Sequence, residues 1–236
     1  LAGVRSELAG ARTDAATLAR ALADANRTKT PEMLAAFGRA VDRLGGNYVT
    51  AEDVGMSVAD IGAGEGYYTV RLSPAVGPRG RVLAQDIRAE TRDQLALRVQ
   101  REGLDNVAVR LGLPDAPKLP QASFDRIFLV HMYHEVTDPY AFLWHLRSGL
   151  KPGGLIVVVD ANRPIERHGM PPALLDCELG SVGMERIAMA PVTGTDGYMT
   201  LFRAARPRPE PSAIKPCRSC HPAPLGVEEV VGHRGR

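Results

Sequence analysis

The 236-residue chain is predicted to fold as a doubly wound, mostly parallel α/β sheet of seven strands, preceded by helices. Two observations predict this class. From Ser57 onward, short apolar runs alternate with longer amphipathic stretches, which is the pattern of strands and helices in a parallel sheet. The first apolar run also leads into a glycine-rich loop, residues 62–66, of the kind that binds ligands at the edge of such sheets.

The individual elements follow from the spacing of apolar residues. Consecutive apolar residues predict strands, and recurrence every three or four residues predicts helices. Asp138 and Pro139 are typical of a helix start, and Lys-Pro-Gly-Gly at 151–154 predicts a turn before the fifth strand. The last strand is expected to be antiparallel. The predicted strands are 57–61, 81–86, 106–111, 125–130, 155–160, 186–190 and 198–203, and the predicted helices are 67–73, 89–102, 138–149 and 173–182.

The chain is predicted to have three regions. Residues 1–50 carry a helical stripe of Leu and Ala and a second helix start at Pro31, which predicts a helical extension that acts as a lid. Residues 51–205 contain the predicted sheet and would bind the ligand. Residues 206–236 are rich in Pro and Arg and are expected to be irregular or mobile.

Composition limits the classes of partner. The formal net charge is +2 and no long Lys/Arg run occurs, so no nucleic-acid partner is expected. The longest continuous apolar stretch, residues 155–159, is far shorter than the roughly 20 residues that span a membrane. A cytoplasmic location is the default expectation, although a removed signal peptide stays open because the first residue is Leu. A homodimer is possible but is not indicated by the sequence.

The loop after the first strand carries three glycines at alternate positions, Gly62, Gly64 and Gly66, with Asp60 two residues before them. Glycines let ligand atoms approach backbone N–H groups closely, and the positive end of the next helix favours an anionic group. A dinucleotide site usually reads G-x-G-x-x-G, which this loop does not match. Asp86 ends the second strand, where a carboxylate can accept hydrogen bonds from ribose hydroxyls. The pattern predicts a nucleoside-containing cofactor.

With these motifs the sequence resembles the class I S-adenosylmethionine-dependent methyltransferases. The resemblance spans residues 56–203 and rests on the loop 58–66, Asp86, Phe-Asp-Arg-Ile at 124–127 and Leu-Lys-Pro-Gly-Gly at 150–154. It implies a seven-stranded Rossmann-like methyltransferase fold, S-adenosylmethionine as cofactor, and in-line methyl transfer to a small-molecule acceptor. The cofactor-binding residues that it implies are Asp60, Gly62, Ala63, Gly64, Gly66, Tyr67, Asp86, Ile87, Leu113, Asp115 and His131.

Two stretches refine this resemblance. Residues 66–69 and 131–135 are similar to a group of bacterial predicted methyltransferases without an assigned substrate. The step after the third strand departs from many relatives, which place an acid there in Gly-Asp-Ala to bond the adenine amino group. Here the step reads Gly112-Leu113-Pro114, so either Asp115 or the backbone of Leu113 would contact the adenine. Tyr67 and its neighbour Tyr68 are expected to divide between the cofactor side and the core.

Three histidines are candidates for the catalytic base: His131 and His134, which follow the fourth strand, and His168, which follows the fifth. Histidine suits this role because its ordinary pKa lies near neutrality. His168 resembles by position the base of relatives that methylate hydroxyl groups. Two alternatives stay open: His131 would contact the cofactor, and His134 with Glu135 would only orient the loop. No metal is expected, because His-x-x-His-Glu here follows a strand and does not lie on a helix.

The cysteines do not suggest a fold held by disulfides. Cys177 lies in a predicted apolar helix and is expected to pack as a small hydrophobic residue. Cys217 and Cys220 with His221 match the C-x-x-C-H spacing of haem attachment, although an exposed thiol pair is favoured. Methyl transfer to arsenite, with thiolate ligands, is a further minor interpretation. Two other functions are retained for the whole chain: a nicotinamide-dependent oxidoreductase, and a non-catalytic cofactor-binding protein.

Overall fold

The computed structural model describes residues 55–191 and 196–217. The predicted helical extension 1–50 and the chain end beyond residue 217 lie outside these ranges, so the predictions for them stay predictions. Within the described ranges, seven strands form one sheet in the order β3-β2-β1-β4-β5-β7-β6. β1 to β5 are parallel, and β7 is antiparallel to both β5 and β6. The predicted fold class and the antiparallel final strand are confirmed.

The helices and strands lie close to their predicted positions. The strands are β1 Ser57–Ile61, β2 Arg81–Asp86, β3 Val107–Leu111, β4 Phe124–Val130, β5 Leu150–Ala161, β6 Met184–Pro191 and β7 Gly197–Ala204. The helices are α1 Thr69–Val76, α2 Ala89–Arg101, α3 Pro139–Ser148 and α4 Pro172–Ser181, with short 3-10 turns at Tyr133–Glu135, Ile165–Arg167 and Pro211–Ala213. The Asp138 carboxylate caps α3, where it accepts a hydrogen bond from the backbone N–H of Ala141 at 3.1 Å.

The central strands are buried on both faces, as expected for a parallel sheet covered by helices. In β5, Ile156 and Val158 belong to the core on the face that α3 and α4 cover. Val157 and Val159 belong to the core on the opposite face, where they share a cluster with Leu72 of α1. Successive residues of a strand point to opposite faces, so continuous apolar runs are the ones that become central strands.

Two of the boundaries that differ from the predictions concern the glycine loop and β5. The helix α1 begins at Thr69, two residues later than predicted, so the glycine loop continues through the two tyrosines. The Lys-Pro-Gly-Gly sequence is an irregularity within β5 and does not precede it, because Phe124 pairs with Leu150 while Arg126 pairs with Leu155. The extra residues on β5 therefore bulge out of the ladder without ending the strand.

The C-terminal strap, which we define as residues 205–217, is irregular apart from the 3-10 turn Pro211–Ala213. It lacks long elements, but it packs across α3. The indole Nε1 of Trp144 donates to the carbonyl oxygen of Pro209 at 2.9 Å, and the Arg208 guanidinium lies 3.8 Å from the indole centre. Ile214 packs against the core. Cation–π contact and burial of this kind hold irregular segments in place.

The cysteines also differ from the prediction. Cys177 and Cys217 form a disulfide with a Cα–Cα distance of 6.0 Å, which joins α4 to the end of the strap. Cys177 is exposed on its helix and is not a packed core residue. A Cys217 sulfur that is bonded to Cys177 is not available for a haem thioether. The interpretation of Cys217 as half of an exposed thiol pair is therefore wrong for this structure.

Candidate active site

The three loop glycines all adopt left-handed backbone conformations, with φ of 67° at Gly62, 54° at Gly64 and 83° at Gly66. Each nevertheless has a different surrounding. A Cβ at Gly62 would lie 2.9 Å from Cγ of Met132, and one at Gly66 would lie 2.3 Å from Cδ1 of Leu95. A Cβ at Gly64 would meet no atom within 4 Å. The loop therefore packs against the protein at its two ends and is open at its middle glycine, where a ligand can approach the backbone.

Asp86 connects this loop to the next one. Its two carboxylate oxygens accept hydrogen bonds from the backbone N–H groups of Gly64 at 3.0 Å and of Arg88 at 2.9 Å. Asp86 is 7% exposed, and Ile87 directly after it is 53% exposed. Each carboxylate oxygen retains a second acceptor position. The prediction that Asp86 accepts from ribose hydroxyls is compatible with this arrangement, and an exposed apolar side chain beside it suits the face of a base.

The predicted adenine contacts lie on the neighbouring loop, because Asp86 of β2 pairs in register with Leu111 of β3. Leu113 is 44% exposed, so its side chain is accessible. Its backbone N–H, however, donates to the carbonyl oxygen of Ala116 at 2.8 Å. Asp115 is exposed on the same loop. The Leu113 carbonyl oxygen, which accepts a hydrogen bond from the backbone N–H of Ala116 at 3.2 Å, and the Asp115 carboxylate are both acceptors for the adenine amino group, so the choice between them stays a prediction.

Asp60 is 2% exposed at the end of β1. Its carboxylate accepts a hydrogen bond from the hydroxyl of Thr69 at 2.6 Å. Burial raises the pKa of Asp60 to about 6, against a smaller opposing effect of the hydrogen bonds from Thr69. A nearby cation stabilises the ionised form of a buried carboxylate of this kind. The predicted pairing with the cofactor's ammonium group would supply that charge.

Tyr67 and Tyr68 are both half-buried and pack against the core beside α1, with ring centroids 5.0 Å apart. The expected division into one cofactor-facing and one core residue is therefore not seen. The Arg71 guanidinium lies 3.9 Å from the ring centre of Tyr67. A cofactor contact from Tyr67 stays a prediction.

The acceptor side of the site is organised by Asp160, the penultimate residue of β5. Nδ1 of His134 lies 3.0 Å from both carboxylate oxygens of Asp160, and Nδ1 of His131 lies 3.5 Å from one of them. The Asp160 and His134 side chains are buried, whereas the His131 side chain is 59% exposed. The ring centroid of His168 lies 5.9 Å from that of His134. Two of the three predicted histidines therefore share one carboxylate, and the third lies beside His134.

Two of these histidines adopt backbone conformations that are unusual for residues with a side chain. His131 has φ of 50° and His168 has φ of 53°, both in the left-handed region. The backbone N–H of His131 still donates to the carbonyl oxygen of Val159 at 2.8 Å, so β4 remains paired to this point. Left-handed non-glycine residues cost roughly 1–3 kcal/mol and concentrate at functional sites.

The cluster has a defined charge pattern. Burial alone would raise the pKa of Asp160, but the hydrogen bonds from His131 and His134 more than offset it, so its pKa lies below the ordinary value. The hydrogen bond to Asp160 raises the pKa of His131 above its ordinary value, against a smaller effect of burial. Asp160 thus remains ionised and makes the exposed imidazole more basic.

A second buried hydrogen bond supports the same turn. The hydroxyl of Tyr133 donates to the carboxylate of Glu178 at 2.7 Å, and both side chains are buried. Tyr133 begins the 3-10 turn that carries His134, and Glu178 lies on α4. The turn is therefore fixed from both sides, by Asp160 of β5 and by Glu178.

Residue types in this cluster could also hold a metal ion. Ligand atoms of His131, His134 and Asp160 lie within 4.8 Å of one another, as do those of His134, Glu135 and His168. The sequence argument against a metal considered only His-x-x-His-Glu and not Asp160, which comes from the neighbouring strand. As the structure stands, the Nδ1 atoms engage the carboxylate in hydrogen bonds, and the expected absence of a metal stays a prediction.

Asp160 is the residue whose role the sequence reasoning missed. It is the last residue of the fifth predicted strand, 155–160, and the sequence assigns it no partner. Its signal was a charged residue directly after the apolar run 155–159. A buried charge at a strand end requires a partner, and the histidines of the preceding strand's loop are the nearest in the fold.

Comparisons with known proteins agree with this geometry. A family described as a methyltransferase domain matches residues 58–154. The chain is 27% identical over 168 residues to the ubiquinone/menaquinone biosynthesis C-methyltransferase UbiE of Shewanella frigidimarina, covering 71% of this chain and 66% of that protein. It is 33% identical over 116 residues to UbiE of Hahella chejuensis, covering 47% and 45% respectively. The chain thus spans less than two thirds of the length of either relative.

Solved structures show the same fold. A S-adenosylmethionine-dependent methyltransferase from Aquifex aeolicus matches with a TM-score of 0.60 and 25% identity, covering 64% of this chain and 83% of that one. The trans-methyltransferase CalH, in complex with S-adenosylhomocysteine, matches with a TM-score of 0.56 and 18% identity over 73% of this chain and 59% of that one. The [4+2]-cyclase SpnF matches with a TM-score of 0.57 and 16% identity, covering 70% of this chain and 82% of that one. This match shows the fold alone.

The open parallel sheet, its antiparallel β7 and the glycine loop with two acids define a Rossmann-like domain for a nucleoside-containing cofactor. Together with the family match over residues 58–154 and the relatives above, they support a class I S-adenosylmethionine-dependent methyltransferase. This confirms the predicted resemblance. No helix among residues 55–191 and 196–217 has both the length and the apolar character to cross a membrane.

Proposed function

We propose that the protein transfers a methyl group from S-adenosylmethionine to a small-molecule acceptor, and that His131 is the base. The observation that carries the proposal is the hydrogen-bonded group of Asp160, His131 and His134 at the carboxyl ends of β4 and β5. Ligands of open α/β sheets bind beyond these strand ends. The glycine loop follows β1, which pairs directly with β4, so donor and acceptor sides are adjacent.

S-adenosylmethionine supplies a methyl group on a sulfonium, which an acceptor nucleophile displaces in line while the thioether leaves. The glycine loop, Asp60 and Asp86 would hold it, and Gly64 offers the open backbone for its approach. The protein's remaining contribution to the reaction would be to position the acceptor and to remove its proton.

His131 suits proton removal better than the other two histidines. Its side chain is half-exposed and reaches solvent, whereas His134 is buried. Asp160 makes the His131 imidazole more basic and would stabilise its protonated form after transfer. His134 would orient the shared carboxylate. His168, which the sequence favoured as the base, faces the same cluster and is the competing candidate.

The relatives suggest a chemical class for the acceptor. Their name specifies C-methylation in quinone biosynthesis. A ring carbon becomes nucleophilic when an adjacent hydroxyl group loses its proton, and a hydroxyl oxygen becomes nucleophilic in the same way. The proposed base therefore suits a hydroxylated acceptor for both C-methylation and O-methylation. Identifying the methylated atom of the product distinguishes these two reactions.

Two experiments test the proposal in sequence. Calorimetric titration with S-adenosylmethionine and with NADH is expected to show binding of the former only; NADH binding alone would support the oxidoreductase instead. Lysate metabolites incubated with methyl-labelled cofactor are then expected to yield a labelled product. Binding without any incorporation would support the non-catalytic alternative or a different reaction on this fold.

Variants identify the base once a product is known. His131→Gln is expected to lower kcat at least about 100-fold with cofactor affinity unchanged. His145→Gln, at an exposed position on α3, is the matched control and should retain full activity. Loss of turnover in His168→Gln but not in His131→Gln would transfer the role of base to His168.

A further inference from the structure

We propose that Glu178 of α4 is a positioning residue for methyl transfer, which fixes the turn at residues 131–135 by accepting a hydrogen bond from Tyr133. The hydroxyl oxygen of Tyr133 and a carboxylate oxygen of Glu178 lie 2.7 Å apart, and both side chains are buried. Glu178 acts through Tyr133 and not by contact with the reacting groups. The inference rests on the proposed function, because it concerns the placement of the proposed base, His131.

The surroundings of Glu178 are unfavourable for a carboxylate. Its helix neighbours Leu175 and Leu179 belong to the apolar core, and so does the ring of Tyr133. In the part of the chain that the structure describes, the hydroxyl of Tyr133 is the one donor to this carboxylate. Burial raises the pKa of Glu178, and the hydrogen bond from Tyr133 offsets this only in part. An apolar side chain here would avoid the cost of desolvating a carboxylate.

The carboxylate adds direction to this packing. A hydrogen bond restricts both the distance and the angle of the hydroxyl that it holds, whereas apolar burial is non-directional. Burial also raises the pKa of Tyr133 well above its ordinary value, so the phenol keeps its proton and remains a donor. The ring lies beside Phe142, with ring centroids 6.2 Å apart. The Glu178 carboxylate therefore restricts the orientation of Tyr133 more narrowly than this packing alone.

Tyr133 passes the restriction to both histidines through the backbone. Its carbonyl oxygen accepts a hydrogen bond from the backbone N–H of Val136 at 3.1 Å, which closes the turn. His134 follows Tyr133 directly, and its Nδ1 lies 3.0 Å from the carboxylate of Asp160. His131 precedes Tyr133 by two residues and has a left-handed φ of 50°, which persists only where the surroundings restrict it. A displaced Tyr133 would therefore shift both imidazoles relative to Asp160.

Three variants separate positioning from stability. Tyr133→Phe leaves a buried carboxylate without its donor, so it should lower both stability and kcat. Combining it with Glu178→Leu removes both partners, which often restores stability when packing is kept. We expect the double variant to unfold at or above the wild-type denaturant midpoint and still to have a kcat at least about tenfold below wild type. Glu178→Gln keeps an acceptor oxygen for the phenol and should retain most of the kcat.

An NMR titration of His131 supplies a measurement that does not depend on turnover. In Tyr133→Phe and in the double variant, loss of placement against Asp160 should bring the pKa of His131 down towards its ordinary value. Glu178→Gln should leave this pKa raised. The matched control is Tyr140→Phe on α3, which removes a hydroxyl that is hydrogen-bonded to the C-terminal strap. The control should change neither kcat nor the titration.

Two results would overturn the proposal. If the double variant recovers kcat together with stability, the pair of Tyr133 and Glu178 has a structural role only. If the His131 titration is the same in wild type, Tyr133→Phe and the double variant, the pair does not place this imidazole. Since the titration requires no turnover, it decides the proposal even for a protein that transfers no methyl group. Failure of the proposed function is therefore distinguished from failure of this inference.

Discussion

The pair Gly64→Ala and Gly66→Ala separates the ligand-contacting glycine from the structural one. Both residues have left-handed φ, so each alanine costs about 1–2 kcal/mol in backbone conformation, less roughly 0.4–1 kcal/mol gained by restricting the unfolded chain. At Gly66 the new Cβ would also lie 2.3 Å from Cδ1 of Leu95, which is fully buried, and overpacking adds about 1–3 kcal/mol. We expect a loss of about 1 kcal/mol for Gly64→Ala and about 2–4 kcal/mol for Gly66→Ala.

Two measurements read out this pair. Chemical unfolding gives the free energies, and calorimetry well below the unfolding midpoint gives the affinity for S-adenosylmethionine. Gly64→Ala should bind the cofactor at least tenfold more weakly although it is the more stable variant, because its Cβ occupies the open side of the loop. Unchanged affinity in Gly64→Ala would refute the approach of the cofactor at this glycine. Equal stability losses would refute the contact between Gly66 and Leu95.

The remaining predictions concern the acids of the site. Asp86→Asn places an amide N–H against one of two backbone N–H donors. Calorimetry should therefore show roughly 10–100-fold weaker cofactor binding, and chemical unfolding should show a loss of about 1–3 kcal/mol in the free energy of unfolding. Unchanged affinity and unchanged stability would contradict the role of Asp86 in holding the loop and the cofactor. Asp60 has a pKa of about 6 in the free protein, so cofactor affinity should fall below pH 6, where the carboxylate is protonated, and Asp60→Asn should remove this pH dependence. Because of the same raised pKa, Asp60 binds its proton more tightly in the folded than in the unfolded state between about pH 4 and 6. The free energy of unfolding should therefore fall as pH rises through this window, and it should fall less in Asp60→Asn. Asp160→Asn should lower the pKa of His131 in an NMR titration and move the rising limb of kcat to lower pH; an unmoved titration would show that the carboxylate does not control this imidazole.

The sequence predicted the strands well because central strands of a parallel sheet are continuous apolar runs between turn residues. The run 155–159 and the loop 62–66 are local signals that need no tertiary contact to be interpreted. The start of α1 was placed two residues early, because the half-buried Tyr67 and Tyr68 look like the first turn of an amphipathic helix. Their packing against the core beside α1 depends on the sheet beneath them, which sequence spacing does not describe.

The cysteine errors have a different origin. Cys177 and Cys217 are 40 residues apart in sequence, and they meet because the chain returns through β6 and β7 and then crosses α3 and α4. From the sequence alone, an exposed cysteine on a largely apolar helix cannot be distinguished from a buried one, because the segment that packs against the helix is not known. Pairings between distant residues follow from topology, and three cysteines in a single sequence carry no information about it.

The cofactor-binding loop after β1 and the histidine-bearing turn after β4 are in contact at Gly62 and Met132. Gly62 lacks a side chain where Met132 packs, so the glycine loop lies directly against the turn that carries the histidines. Met132 separates His131 from Tyr133, and Tyr133 is held by Glu178. The position of His131 therefore depends on the cofactor loop on one side and on α4 on the other. Its left-handed backbone is retained because both neighbours and Asp160 restrict it, which is the condition under which a strained residue persists at a working site.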